Sequence, residues 1–553
     1  MAGVGVASVL LVSALVSGVV YHVTLLQHSG LKVVMEMDTR QRPNFIVILA
    51  DDIGWGDLGA NQAGEKPSNT PYLDQLAREG KRFTDFHSPA STCSPSRASI
   101  LTGRYGLRNG VTHNFATRSL GGLPLNETTF AELLQEAGYY TAMIGKWHLG
   151  HNGPYHPINR GFDYYLGIPY SNDMGCTDLP GYDLPSCPPC EPVSHQNSRK
   201  TQGCYTDVAL PLYENRTIIE QPLDLWSLAQ KYTSAAVRIL HSARERRQPL
   251  LLYVALAHMH VPLAPAAHMG IRAGVGVGAA AEDRAVQGQG EGEGVYSATL
   301  REMDRLVGAI KATSDLLDKQ NNLILFTGDN GPWEQKCQFA GSAGPFLGQW
   351  QTARGGGSAK RTTWEGGHRV PTVAYWPGRI PANTTSGALL SGMDIFPTLL
   401  SLAGVELPRD RRIDGIDMTD ILLGKSDTGR KSLLHPNSGA AGFFGDLQAV
   451  RVGPHKAFYL TGAAEACGGG EGQPQVHDPP LIFDLSGDPG EGTPLVEGSE
   501  EYQEALREVQ SEREALLWDI ANDNVSTANY ATDRGAAPCC DHALPACRCH
   551  PVR

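Results

Sequence analysis

Cys93 stands in the run Thr92-Cys93-Ser94-Pro95-Ser96-Arg97, which continues through Ala98-Ser99-Ile100-Leu101 to Thr102-Gly103-Arg104. Pro95 suits the first turn of a helix, where its missing N–H has no partner to lose. Cys93 then sits at the N-terminal end of that helix, where unpaired amide N–H groups favour an anion. Arg97 lies four residues on, so its guanidinium can share the face of Cys93. A reactive side chain, an anion cradle and a fixed cation converge.

Asp51, Asp52, Asp329 and Asn330 form a set of hard oxygen donors with three potential negative charges. Such a set suits Ca²⁺ or Mg²⁺ and argues against zinc. Single loop acids more often cap turns; two such pairs in a chain that carries the Cys93 run point to a metal. Lys146 and His148 are two apart, so in an extended segment they point the same way. A Lys can hold an anionic oxygen, and a His can move a proton near neutral pH. His260, with Pro262 behind it, can give a proton to a leaving oxygen; His258 is its rival, or is packed in the core. Lys360 precedes Thr362-Thr363-Trp364-Glu365-Gly366-Gly367, a Gly-rich turn that can aim a cation into a pocket.

The elements that position these residues follow from periodicity. Residues 44–50, Asn-Phe-Ile-Val-Ile-Leu-Ala, form a continuous β-branched run that reads as a buried parallel strand, and they stop at Asp51-Asp52. Residues 140–144 run into Gly145-Lys146-Trp147-His148, 251–256 stop before His258, and 323–327 end in Gly328-Asp329-Asn330. A helix is expected after Thr70, with Thr70 as cap, Pro71 as its first residue and Gly80 as its stop. Another carries Phe130, Leu133, Leu134 and Ala137 and ends at Gly138. Strands alternating with helical stripes indicate an α/β domain with a large, mostly parallel sheet. Ligands bind beyond the carboxyl ends of such strands, where the polar clusters fall. Residues 373–375 and 395–403 extend this domain, placed at 44–430. Short strands near 449–452, 457–460 and 481–485, and an amphipathic helix through Tyr502, Leu506, Val509 and Leu516, give a smaller α+β domain over 431–553 with a Cys-rich tail.

The chain of 553 residues is long enough for two domains, and its net charge of −12 argues against a nucleic-acid partner. An acidic protein that binds an anion must gather its cations in one pocket. Setting Cys93 aside leaves ten of the 11 Cys. Cys176, Cys187, Cys190 and Cys204 form one cluster and Cys539, Cys540, Cys547 and Cys549 another, so Cys337–Cys467 pair by elimination in an oxidising compartment. Each cluster of four leaves three connectivities open. Residues 4–20 read as the apolar region of a secretory signal within 1–25, although no Lys or Arg precedes them; a retained anchor is the alternative. Sequons at Asn126, Asn215, Asn383 and Asn524 agree with the secretory route. Residues 264–294 are Gly- and Ala-rich without periodicity and read as a surface loop.

Asp51-Asp52, residues 93–104, 145–150 and 161–171, His260 and Asp329-Asn330-Gly331 occur in an order that resembles the sulfatase family over nearly the whole chain. The resemblance implies the alkaline-phosphatase-like sulfatase fold. It implies that Cys93 is matured by the formylglycine-generating enzyme to 3-oxoalanine, or formylglycine. One Ca²⁺ would be held by Asp51, Asp52, Asp329, Asn330 and the modified Cys93. Arg97, Lys146 and His148 would steady the modified residue, and Lys146, Ser171, His260 and Lys360 would contact the substrate sulfate. In the implied mechanism a hydrated aldehyde, deprotonated by Asp329, attacks sulfur. His260 or Lys360 protonates the leaving alcohol, and His148 helps expel sulfate. A narrower likeness within the family, in residues 56–61, 258–262 and Pro538-Cys539-Cys540, implies a lysosomal exo-sulfatase. Its implied target is the 3-O-sulfate of N-sulfoglucosamine in heparan sulfate, with activity also on small aryl sulfates. Oligomeric state is left open. Two other readings compete. A phosphatase or phosphonate hydrolase of the same superfold would use two metals or a Ser/Thr nucleophile. A non-catalytic binder of sulfated glycans would carry a basic surface stripe.

Overall fold

The computed structural model describes residues 42–62, 68–183, 187, 208–266 and 291–549, together with three short strands within 10–37. Two of these, Leu10–Val16 and Val19–Leu25, fall in the expected signal segment and pair antiparallel. The rest of that segment, most of the expected 264–294 loop, and Cys190 and Cys204 lie outside the described residues. No helix among the described residues is long and apolar enough to cross a membrane.

A ten-stranded mixed sheet organises the chain. In sequence order its strands are β1 (Asn44–Ala50), β2 (Lys81–Phe83), β3 (Tyr140–Gly145), β4 (Tyr164–Gly167), β5 (Leu212–Glu214), β6 (Thr217–Glu220), β7 (Leu250–Ala255), β8 (Asn322–Gly328), β9 (Thr372–Tyr375) and β10 (Thr384–Ser386). In space they run β6-β5-β4-β3-β7-β1-β8-β9-β2-β10. The centre from β4 to β8 is parallel, and the β4–β5, β5–β6, β8–β9 and β9–β2 pairs are antiparallel. The central strands present apolar residues to both faces because both faces are covered. Ile46, Ile48 and Ala50 of β1 and Leu250, Leu252 and Val254 of β7 enter one core; Phe45, Val47 and Leu49 and Leu251, Tyr253 and Ala255 enter the other. Helices α1 (Pro71–Glu79), α4 (Leu228–Arg246) and α5 (Glu291–Asp318) close the first core, and α2 (Cys93–Thr102), α3 (Phe130–Glu136) and α6 (Ile395–Ala403) the second.

Local chemistry departs from expectation at two points. Thr70 precedes α1 but makes no side-chain cap; its hydroxyl instead accepts from Gly59 N at 2.8 Å and faces Asp74. α5 begins at Glu291, inside the stretch read as loop. The α3 entry is a capping box between Thr129 and Glu132.

A separate antiparallel sheet follows: β11 (Ser432–Pro436), β12 (Leu447–Val452), β13 (His455–Thr461) and β14 (Gln475–Asp484), covered by α7 (Glu500–Ala521). The expected Cys337–Cys467 disulfide is formed. Cys176 pairs with Cys187, and the tail pairs Cys539–Cys547 and Cys540–Cys549. All four sequon asparagines are exposed.

The two units meet across a buried charge network. Lys456 Nζ of β13 lies 2.8 Å from Glu365 Oε1 and 3.2 Å from Glu491 Oε1, all three without solvent contact. Arg369 also reaches Glu365, at 2.7 Å. Burial raises the Glu365 carboxyl, but Lys456, His87, Arg369 and Arg451 outweigh it and hold it well below the usual range. Lys456→Met should destabilise the fold by about 3–5 kcal/mol, because two buried carboxylates lose their shared cation. An unfolding midpoint unchanged from wild type would show that the network carries no such load.

Candidate active site

The four polar clusters lie on neighbouring strands in the order β3-β7-β1-β8 and leave the sheet at one carboxyl end. Main-chain bonds hold their roots together. Lys146 N donates to Ala255 O at 2.6 Å, Asp51 N to His258 O at 2.7 Å, Met259 N to Asp51 O at 2.7 Å, and Asp329 N to Ala50 O at 2.9 Å. Asp52 adopts φ +56°, a left-handed conformation that Asp tolerates better than most residues, and its N–H donates to Asp329 Oδ1 at 3.2 Å.

Cys93 is the first residue of α2, and every residue of that helix is buried. Thr92 has extended geometry but no side-chain cap; Ser94 N donates to Asn114 Oδ1 at 2.8 Å, Pro95 has no N–H, and Ser96 N donates to Thr92 O at 3.2 Å, which leaves Cys93 N as the first-turn amide open to an anion. Gly103 ends the helix at φ +67°, as a left-handed stop. Lys146 Nζ lies 3.1 Å from Cys93 Sγ, 2.6 Å from Asp51 Oδ2 and 3.2 Å from Ser171 Oγ. Arg97 Nε donates to Asp329 Oδ2 at 2.8 Å and its Nη1 to Lys146 O at 2.8 Å, so the guanidinium braces two walls at once. Burial, and next the charge of Asp51, push the Cys93 thiol far above the ordinary thiol range. It is the one free cysteine among the described residues, and as a thiol it stays protonated and a poor nucleophile.

The histidines differ in role by their bonds. His148 does not sit in an extended segment, as its spacing from Lys146 suggested; it turns left-handed at φ +57°. Its Nε2 donates to Phe115 O at 3.1 Å, which leaves Nδ1 as a bare, buried acceptor without a partner. Burial, then Lys146 and Arg97, lower its pKa well below 6.5, so it stays neutral. His260 Nδ1 donates to Val261 O at 2.6 Å, and Nε2 faces Ser171 Oγ at 3.2 Å and Asp52 Oδ2 at 3.5 Å. With Nδ1 carrying a hydrogen, Nε2 can donate only when the ring is protonated. Burial and Lys360 lower that pKa below 6.5. Lys360 Nζ lies 2.6 Å from Asp52 Oδ1. His258 is buried beside Glu302 at 3.5 Å and lines a small cavity together with His260 and Asn172.

The donor set fits a hard cation. Oxygens of Asp51 and Asp52, Cys93 Sγ and His260 nitrogen all lie within 4.8 Å of one another. Asn330 Nδ2 donates to Asp52 Oδ1 at 2.7 Å, which turns Asn330 Oδ1 inward as a buried acceptor with no partner. Burial and Asp51 push the Asp329 carboxyl up, whereas Lys146, His260, Arg97 and Lys360 overcome the burial of Asp51 and hold it ionised. Three crowded carboxyls and an orphaned amide oxygen are what a Ca²⁺ or Mg²⁺ ion would satisfy.

Sequence reasoning missed Trp333. Its ring packs on His260 at 5.1 Å between centroids and carries Lys360 at 4.2 Å. It also missed Asn172, whose Nδ2 donates to His260 O at 3.2 Å, and half-buried Asp173, whose charge is felt by His260. Their adjacency to Ser171 and to Asn330-Gly331 was the available signal.

The family model for sulfatases matches residues 43–405, and that for the C-terminal region of aryl-sulfatase matches residues 428–549. The chain belongs to the sulfatase family. It is a sulfuric ester hydrolase, and members of this family in general carry a metal ion and formylglycine. Among relatives, this sulfatase is 56% identical to arylsulfatase G of Rattus norvegicus, over 98% of each chain. It is 37% identical to arylsulfatase A of Homo sapiens, over 92% of this chain and 93% of the relative. The crystal structure of the PsFucS1 sulfatase from Pseudoalteromonas sp. superposes with a TM-score of 0.71 at 26% identity, covering 89% of this sulfatase and 93% of that chain.

Proposed function

We propose that this sulfatase hydrolyses sulfate esters through formylglycine made from Cys93 by the formylglycine-generating enzyme, with one Ca²⁺ held by Asp51, Asp52, Asp329, Asn330 and the modified residue. The observation that carries this reading is the Cys93 thiol itself. It occupies the nucleophile's place, 3.1 Å from Lys146 and 3.4 Å from Asp51, in surroundings that keep it protonated. When present, formylglycine supplies a hydroxyl nucleophile that can later release its sulfate, and the ion supplies charge to the sulfuryl oxygens.

The chain's own residues supply the rest. Lys146 and Ser171 hold one sulfate oxygen, and Lys360 approaches from the opposite wall. Arg97 fixes Asp329 and the Lys146 main chain, so acceptor and cation keep their separation. Protonated His260 gives its Nε2 hydrogen to the leaving oxygen. His148, neutral with a bare Nδ1, accepts a proton when sulfate departs. Lys146 and Lys360 gathered at one anion site, with Arg97 bracing its wall, would let a chain of net charge −12 bind a sulfate ester.

The substrate reading, the 3-O-sulfate of N-sulfoglucosamine in heparan sulfate with turnover of aryl sulfates besides, rests on the relatedness to arylsulfatase G, as does a lysosomal location. Disulfides and exposed sequons support the secretory route to it. A panel of sulfated sugars assayed at acidic and neutral pH tests both. Hydrolysis of other sulfate positions, with the 3-O-sulfated amino sugar untouched, would overturn the assignment.

His260 gives the expected pH dependence its sign. Its donor form is lost as pH rises through a pKa that lies below 6.5. kcat/KM should therefore peak in the acid range and fall toward neutrality. A maximum above pH 8 would remove His260 as the donor.

A further inference from the structure

Beside Lys360 and Trp333 lies an open pocket of about 100 Å³, at the junction of the two sheets. The catalytic unit contributes Trp333, Gln335, Lys360 and Arg361; the C-terminal unit contributes Gly439, Ala463, Ala464, Glu465 and Glu471. Its walls are built with care. The Cys337–Cys467 disulfide ties one wall to the other, and Gln335 Nε2 donates to the Glu465 carboxylate across the gap. Arg361 is held at φ +78°, a left-handed conformation uncommon for Arg, with its N–H donating to Ser91 O at 2.8 Å, two residues before Cys93. A Cβ on Gly439 would stand 2.7 Å from Arg361 Cβ, so only glycine lets the C-terminal loop close on it.

Two of the pocket's four charges are already committed, Lys360 to Asp52 and Glu465 to Gln335, and Arg361 lies over the Trp333 ring at 5.8 Å. Arg361 and Glu471 are exposed, and among the described residues neither side chain makes an ion pair or a hydrogen bond. Trp333 divides the pocket from His260, the residue placed at the leaving oxygen. A cation offering N–H donors and a carboxylate offering acceptors, on the far side of Trp333 from His260, match a group bearing both acceptors and donors. A p-nitrophenyl leaving group offers no donor and only the weak acceptors of its nitro group. The volume suits ring substituents.

We propose that Arg361 and Glu471 are specificity-determining residues: the junction pocket binds the sugar substituents that flank the scissile ester, Arg361 an acceptor or anionic substituent and Glu471 a hydroxyl or amino donor. The C-terminal unit thereby takes part in choosing the substrate. The inference rests on the sulfatase reading of the adjoining site.

The test compares the full-length Arg361→Ala and Glu471→Gln variants with wild type on two probes, glucosamine 3-O-sulfate and p-nitrophenyl sulfate. Arg361→Ala should lower kcat/KM on the sugar by about 10-fold or more, chiefly through KM, because a hydrogen bond to a charged donor is lost. Glu471→Gln should lower it by a smaller factor. Both variants should stay within about two-fold of wild type on p-nitrophenyl sulfate, which reaches the sulfate cradle without filling the pocket. Equal losses on the two probes would show a structural role and overturn the proposal. So would unchanged sugar kinetics, or a wild-type enzyme that turns over the aryl probe and ignores the sugar. Failure of the underlying reading looks different: wild type would then hydrolyse neither ester.

Discussion

Cys93→Ala is expected to fold like wild type and to lose roughly 10⁴-fold or more of its turnover, the loss typical of a missing covalent nucleophile. The fold should survive because the side chain is small and its neighbours Lys146 and Asp51 remain paired with each other at 2.6 Å. In wild type, the peptide carrying residue 93 should show the mass of an aldehyde in place of a thiol. Cys93→Ser separates the chemistry further. A serine in the same cradle can take up sulfate once, but holds it as an ordinary ester with no second hydroxyl to release it. That variant should stall after a single turnover. Sustained turnover by Cys93→Ser, or full activity with an unmodified thiol, would remove formylglycine from the account. The buried, protonated state of the thiol makes the second result the harder one to reconcile with any mechanism.

Asp329→Ala should lower turnover by roughly 10³-fold or more, since a bound metal ion and the group oriented by it contribute several kcal/mol to charge stabilisation. The residue accepts from Arg97 at 2.8 Å and from Asp52 N at 3.2 Å, so its removal frees a buried guanidinium as well as a donor oxygen. A chelator should reproduce the loss in wild type, and added Ca²⁺ should restore it there but leave the variant inactive. Elemental analysis should find one calcium per chain. Zinc in its place, or a fully active Asp329→Ala enzyme, would contradict the ligand set. Asn330→Ala provides a milder comparison, because it removes a neutral donor whose Oδ1 has no other partner.

Most of the central sheet was legible in the chain because its signal is local. β1, β3, β7 and β8 are short apolar runs with polar residues at their carboxyl ends, and a strand buried on both faces needs no partner to announce itself. The Cys93 run was legible for a similar reason: Pro95 and the Cys93–Arg97 spacing belong to one helix turn. Pairing of Cys337 with Cys467 followed from counting alone.

What the sequence could not decide is whatever depends on partners far along the chain. Thr70 resembles a cap, yet its hydroxyl is claimed by Gly59. His148 has the spacing of a neighbour to Lys146, but Phe115 O and a left-handed backbone set which of its nitrogens is bare. Trp333 gives no local sign that it divides His260 from a second pocket. Glu365 lies in a Gly-rich turn, and only the docking of β13 makes it the buried partner of Lys456. By itself the sequence determined the fold class and singled out Cys93 and the oxygen donors as candidates, because residue type and near spacing carry that information. Protonation states, tautomers and the junction pocket were decided by the tertiary structure, because burial and charge at a point are sums over groups that only folding brings together.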